Sequence, residues 1–154
     1  MLLGGYSREQ ERQKLTLLIY SCLGISLGVS DSWQGIPREK ALHWVGSAKK
    51  DYLEFPAEVQ SEMGYALGLA QLGSKHPHAK PWKGEGPGVL EIVEDHRGDT
   101  YRAVYTVRFA GTVYVLHAFQ KKSKSGIKTP QEDVKLIGQR LKRAQQDYES
   151  RGTS

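Results

Sequence analysis

The sequence predicts an α+β domain with a small, mostly antiparallel sheet, two helices before it and one after. Three observations carry this reading. Residues 101–109 and 112–119 are rich in Val, Tyr, Phe and Thr and flank Ala110-Gly111, as the strands of a hairpin do. Val59, Met63, Ala66, Leu67 and Ala70 recur at helical spacing, and Gly73 supplies a stop. Val134, Ile137, Leu141, Ala144 and Tyr148 repeat that spacing after Thr129-Pro130-Gln131-Glu132, which reads as a helix start.

In chain order, residues 1–38 form an N-terminal extension, helical or partly disordered, and residues 39–150 form the domain. Arg8, Arg12 and Lys14 precede the apolar stretch 15–29, a pattern shared with secretory leaders. Glu9 and Glu11 dilute the charge, and the stretch is too short and broken for a membrane span. The preferred reading is an appended helix over 7–23, with a linker over 31–38. Residues 41–46 are apolar enough for a strand, 49–55 for a turn or two of helix, and 56–72 for a longer helix begun by Pro56. Residues 75–88, with three Pro and three Gly, read as a loop. Residues 89–95 read as a strand and 95–99 as a turn. In the second hairpin strand Val113, Val115 and Phe119 alternate with Tyr114, Leu116 and Ala118. Both of its faces are therefore apolar, which predicts a central position. The last helix spans 130–148. Thr129 is expected as its N-cap and Glu132 as the reciprocal partner of a capping box. Lys135, Arg140, Lys142 and Arg143 are expected to face outward.

Composition narrows the function. Cys22 is the sole cysteine, so no internal disulfide forms and a reducing compartment, the cytoplasm, is implied. The five histidines form no ligand pair at helical spacing with carboxylates, so neither a metal nor a cofactor is expected. No phosphate-cradling Gly-rich motif and no nucleophile elbow occur. The net charge is +5, and its distribution is uneven: residues 1–75 hold eight basic and eight acidic groups, whereas residues 76–154 hold fourteen and nine. A basic half joined to a neutral half points to a phosphate-bearing partner, with a merely solvated surface as the plain alternative.

The groups available for chemistry are Lys80, Trp82 and Lys83 on the loop, Arg102 and His117 on neighbouring strands, and Lys121, Lys122 and Lys124 at a strand end. Cleaving RNA without a metal needs a base for the 2′-hydroxyl, an acid for the leaving 5′-oxygen, and cations for the phosphorane. Histidine and a lysine among other cations suit proton transfer, and arginine suits bidentate phosphate binding. Trp82 either packs under the loop or stacks on a base. The lysines also fit a role as edge residues that block strand-to-strand aggregation.

Residues 44–145 resemble the phage-derived branch of the RelE/HigB-like toxins of bacterial toxin–antitoxin modules. The resemblance rests on WVGSAKKDYLEFP, GYALGLAQLG, HPHAKPWKGEGPGVLEI, TYRAVYTVRF, YVLHAFQKKSKSGIKTP and IGQRLKRA. It implies the same element order and a metal-independent, ribosome-dependent endonuclease that cuts mRNA and inhibits translation. It also implies docking on ribosomal RNA, silencing by a helix-turn-helix antitoxin, and no membrane association. By match of motif Lys83, Arg102 and Lys122 are catalytic candidates; His117 lies in the Leu-His-x-Phe motif and joins them on its own chemistry, with Lys83 or His117 as acid or base. Lys80, Trp82, Lys121 and Lys124 are the RNA-binding candidates. Two alternatives stand beside this reading: a non-enzymatic toxin of the same fold that poisons a protein such as DNA gyrase, and a nucleic-acid-binding regulator.

Overall fold

The computed structural model describes residues 38–121 and 129–152. The expectations for residues 1–37, the leader-like helix among them, lie outside the described residues, as do Lys122 and Lys124. The element order is β1 (Ala41–Trp44), α1 (Ala48–Leu53), α2 (Ala57–Gln71), β2 (Ala79–Pro81), β3 (Val89–His96), β4 (Asp99–Thr106), β5 (Thr112–Lys121) and α3 (Gln131–Arg151). The strands form one sheet in the order β1-β5-β4-β3-β2. Only β1 and β5 run parallel; the other neighbours are antiparallel. This is the α+β arrangement expected, with β5 in the interior of the sheet because both of its faces are apolar.

The two faces carry separate cores. Val59, Met63, Leu67 and Ala70 of α2 pack on Ile92, Ala103, Tyr105, Val113 and Val115. On the other face Ile137, Leu141 and Ala144 of α3 pack on Val89, Val104, Tyr114 and Leu116. Each such large apolar side chain removed from water contributes roughly 2 kcal/mol, so the sheet is clamped from both sides.

Four details differ from the sequence reading. The loop over 75–88 contains β2, a three-residue edge strand paired with β3. Pro81 is tolerated there because an edge strand leaves one side unpaired. The β3–β4 turn is the tight pair Arg97-Gly98, with φ of 50° and 84°, the left-handed geometry that short hairpins require. Thr129 is not the N-cap of α3; Pro130 is, and no side chain caps the helix. Asp133 turns instead to His117, and Glu132 stays exposed. Finally, Arg140 does not face outward: it is 7% exposed and lies beneath the helix.

A bulge in β5 matters most for function. Val104 pairs with His117 but Tyr105 pairs with Val115, so Leu116 is an extra residue. Val113 and Val115 face α2, and strict alternation would send His117 the same way. The inserted residue reverses this. Leu116 and His117 both point to α3, on the face that also carries Arg102.

Candidate functional site

The helix α3 covers only part of its sheet face. Beyond its first turn an open cleft of about 390 Å³ is lined by Trp82, Lys83, Glu91, Arg102, Thr129, Gln131 and Val134. This lies within the range of small-ligand clefts. Strand alternation supplies the floor: with Ile92 and Ala103 in the α2 core, Glu91 and Arg102 must face the other way. Arg102 Nη1 donates to Glu91 Oε2 at 2.7 Å, and both side chains are mostly buried. Arg102 Nε is buried with no hydrogen-bond partner among the described residues, and so is Trp82 Nε1. Both residues line the cleft, and a buried N–H without a protein partner carries a desolvation cost.

The Lys83 loop is pinned at its base. Arg108 Nη2 donates to the carbonyls of Glu85 (2.6 Å) and Pro87 (2.9 Å), and its Nε donates to the Pro87 carbonyl at 3.1 Å. Thr106 Oγ1 donates to the Gly88 carbonyl at 2.8 Å. Lys83 itself is exposed at the mouth of the cleft. Lys80 is exposed on β2 in register with Glu91, one strand beyond the cleft floor. Lys121 ends β5 in register with Thr100. Trp82 is 6% exposed and packed in the α3-side core. Its ring is therefore closed to a base, which favours the packing alternative over stacking, and its indole N–H is buried as well.

His117 stands in a neighbouring groove with Asp51, Glu54, Phe55, Tyr101 and Asp133. Its ring contacts Phe119, whose strand position pairs with Arg102. Both ring nitrogens are engaged. Arg140 Nη1 lies 3.2 Å from Nδ1, and Asp133 Oδ1 lies 2.9 Å from Nε2. A guanidinium only donates, so Nδ1 is the acceptor and the proton sits on Nε2, directed at the carboxylate. Arg140 also donates from Nη1 to the Leu116 carbonyl at 2.9 Å and from Nη2 to Ser47 Oγ at 2.8 Å. Ser47 Oγ in turn donates to Asp51 at 2.7 Å. Burial, the largest influence, pulls the Arg140 pKa below the usual arginine range, yet the group remains a cation. The chain Asp133–His117–Arg140–Ser47–Asp51 thus ties α3, β5 and the start of α1 together.

The structure brings Trp82, Lys83 and Arg102 into one cleft, sets His117 beside it, and leaves Lys80 and Lys121 at its periphery. Glu91, Arg108 and Arg140 escaped the sequence reading. Their roles depend on strand register and on which helix face is buried, and neither is visible in composition. Among the described residues no group of three or more His, Cys, Asp or Glu side chains is arranged to hold a metal, and no helix is long and apolar enough to cross a membrane.

Fold and cleft together define a small α+β protein with an acid–base and cationic cleft beside the N-terminus of its last helix. The chain belongs to the phage-derived Gp49-like protein family (DUF891), whose family model matches residues 50–142. No curated protein sequence matches it. Among solved structures, the toxin–antitoxin complex RelBE2 from Mycobacterium tuberculosis is similar at 21% identity and a TM-score of 0.38, covering 54% of this chain and 99% of that one.

Proposed function

We propose that this protein is the toxin of a type II toxin–antitoxin module and a metal-independent endoribonuclease that cuts mRNA on the ribosome, in the cytoplasm. The observation that carries this reading is the cleft in which Arg102, Glu91 and Lys83 converge beside two unpaired N–H donors. A scissile phosphate seated there meets the Arg102 guanidinium, which stabilises the charge that builds on the phosphorane. Glu91 is placed to take the 2′-hydroxyl proton as O2′ bonds to phosphorus. Lys83, at the mouth, is placed to give a proton to O5′ as the P–O5′ bond breaks. The products are a 2′,3′-cyclic phosphate and a free 5′-hydroxyl, and no water is consumed. Of the two acid–base candidates, Lys83 is the freer, because both His117 nitrogens are already engaged. In this reading His117 is a positioning residue that stacks on Phe119, the strand neighbour of Arg102, and Lys122 joins Arg102 in stabilising the transition state. Lys80, Lys121 and Lys124 hold RNA backbone, and Trp82 packs beneath the Lys83 loop as its support. Ribosomal RNA and a helix-turn-helix antitoxin are the remaining partners.

Primer extension on mRNA recovered from an in vitro translation reaction, with zinc and manganese chelated, tests the proposal. Wild-type protein should cut only translated message, and Lys83→Ala or Arg102→Ala should each lower cleavage roughly a hundredfold. Intact message with translation or replication arrested would instead favour a poisoned protein target. Undiminished cutting by the Arg102 variant would remove that residue from the reaction.

A further inference from the structure

We propose a second anion site, for a phosphate of RNA backbone, in the groove between β1 and the last two turns of α3. This groove is lined by His43, Tyr114, Arg143, Asp147 and Arg151 together with the backbone around Trp44–Gly46. It shares no residue with the cleft at the first turn of α3. On α3 the nearest lining residues of the two, Val134 and Arg143, lie about 14 Å apart along the helix. For its ligand class this inference rests on the ribonuclease reading; its geometry does not.

The groove is built rather than incidental. Arg143 and Arg151 lie on the stripe of α3 that also presents Asp147. Among the described residues Arg143 has no carboxylate within ion-pairing distance. Among the described residues lining the groove Asp147 is the only carboxylate, and one of its oxygens is doubly occupied. Tyr114 donates its hydroxyl to Oδ2 at 2.7 Å, and Arg151 Nε donates to the same oxygen at 2.8 Å. These bonds hold the Asp147 carboxyl below its ordinary range, the Tyr114 bond most. Burial first, then the Asp147 bond, pushes Tyr114 up to about 12, so it stays a donor at physiological pH. Asp147 therefore fixes the Arg151 guanidinium by its Nε edge and leaves the outer nitrogens to the groove. One of them approaches His43 Nε2 at 3.4 Å, while the His43 ring stacks on Tyr114 at 5.4 Å.

That last contact is long for a hydrogen bond. Arg151 can only donate, so it faces the lone pair of a neutral His43. Protonated His43 would meet Arg151 as cation against cation, and an oxyanion between them would turn repulsion into two charge-assisted hydrogen bonds. Two arginines rather than lysines suit the bidentate geometry of phosphate. An RNA held at both grooves would lie along α3, with the cleft at one end.

Fluorescence anisotropy of the full chain with a fully 2′-O-methyl RNA oligonucleotide, which cannot be cleaved, tests this site apart from catalysis. The Arg143→Gln/Arg151→Gln double variant should bind about tenfold more weakly at low salt, and its slope of log affinity against log salt should fall by about one. Neither arginine is buried, so the variant stays folded; an unchanged far-UV spectrum confirms it. Arg151→Lys should recover only part of the loss. Unchanged affinity and slope in the double variant overturn the site, as does polyglutamate displacing RNA at equal charge concentration, which would mark an acidic protein partner. Retained cleavage by Arg102→Gln would overturn the catalytic reading alone and leave this measurement standing.

Discussion

Tyr105 carries a hydroxyl with no hydrogen-bond partner among the described residues, in a side chain that is completely buried. The ring fills the α2-side core, so only the oxygen is a liability. Tyr105→Phe keeps the ring and removes the unpaired group, and should leave stability unchanged or raise it by about 1 kcal/mol in urea unfolding at pH 7.5. The same side chain sets an alkaline limb. Burial pushes Tyr105 up to about 12, whereas an unfolded tyrosine titrates near pH 10. Between those values the unfolded chain has lost the proton and the folded chain has kept it, so stability falls as pH rises. Tyr114, also raised to about 12, contributes in the same direction. The phenylalanine variant should therefore lose less stability than wild type between pH 9 and 11, and a loss as steep as wild type would show that Tyr105 ionises freely.

The Lys83 loop shows what an element inherits from residues far away in sequence. Its glycines and prolines identify it as a loop, and its lysines mark it as a candidate site. The clamp that makes it rigid comes from Thr106, the last residue of β4, and Arg108 just beyond it, about twenty residues on. Nothing in the spacing announces that Arg108 reaches back to those carbonyls. Because Arg108 is exposed, Arg108→Ala should cost little global stability, within about 1 kcal/mol. It should speed hydrogen exchange of the loop amides Gly84, Glu85 and Gly86. Cleavage should fall about tenfold, since a loosened loop places the Lys83 ammonium poorly. Unaltered exchange would mean that the loop is held by something other than this fork. The helix α3 offers the converse case. Its apolar stripe was legible, yet its buried Arg140 was not, because an arginine at the edge of such a stripe reads as solvated until a carbonyl and a histidine are found beneath it.

At the scale of the whole domain, alternation and helical spacing made the layers legible: the helix–sheet–helix order follows from which residues are apolar. The side that His117 faces was not legible. A single inserted residue, Leu116, turns it from the α2 layer to the α3 layer, and a bulge has no sequence signature here. What the two layers do predict is autonomy. Among the described residues both apolar clusters are assembled from residues between Leu42 and Tyr148, and residues 37–154 form a compact unit of their own. A domain of this size buries roughly two-thirds of its unfolded surface, enough for one cooperative core. A chain beginning at Pro37 should therefore unfold in a single urea transition, with a stability within about 1 kcal/mol of the full chain. It should keep its near-UV circular dichroism, because Trp44, Trp82 and the packed tyrosines all lie in the retained part. It should also bind uncleavable RNA with the same salt dependence, since every cation assigned to either groove remains. A broadened transition with lost near-UV signal would show that the first 36 residues complete the core. Full folding with a shallower salt slope would place part of the RNA-binding charge on Arg8, Arg12 and Lys14 instead.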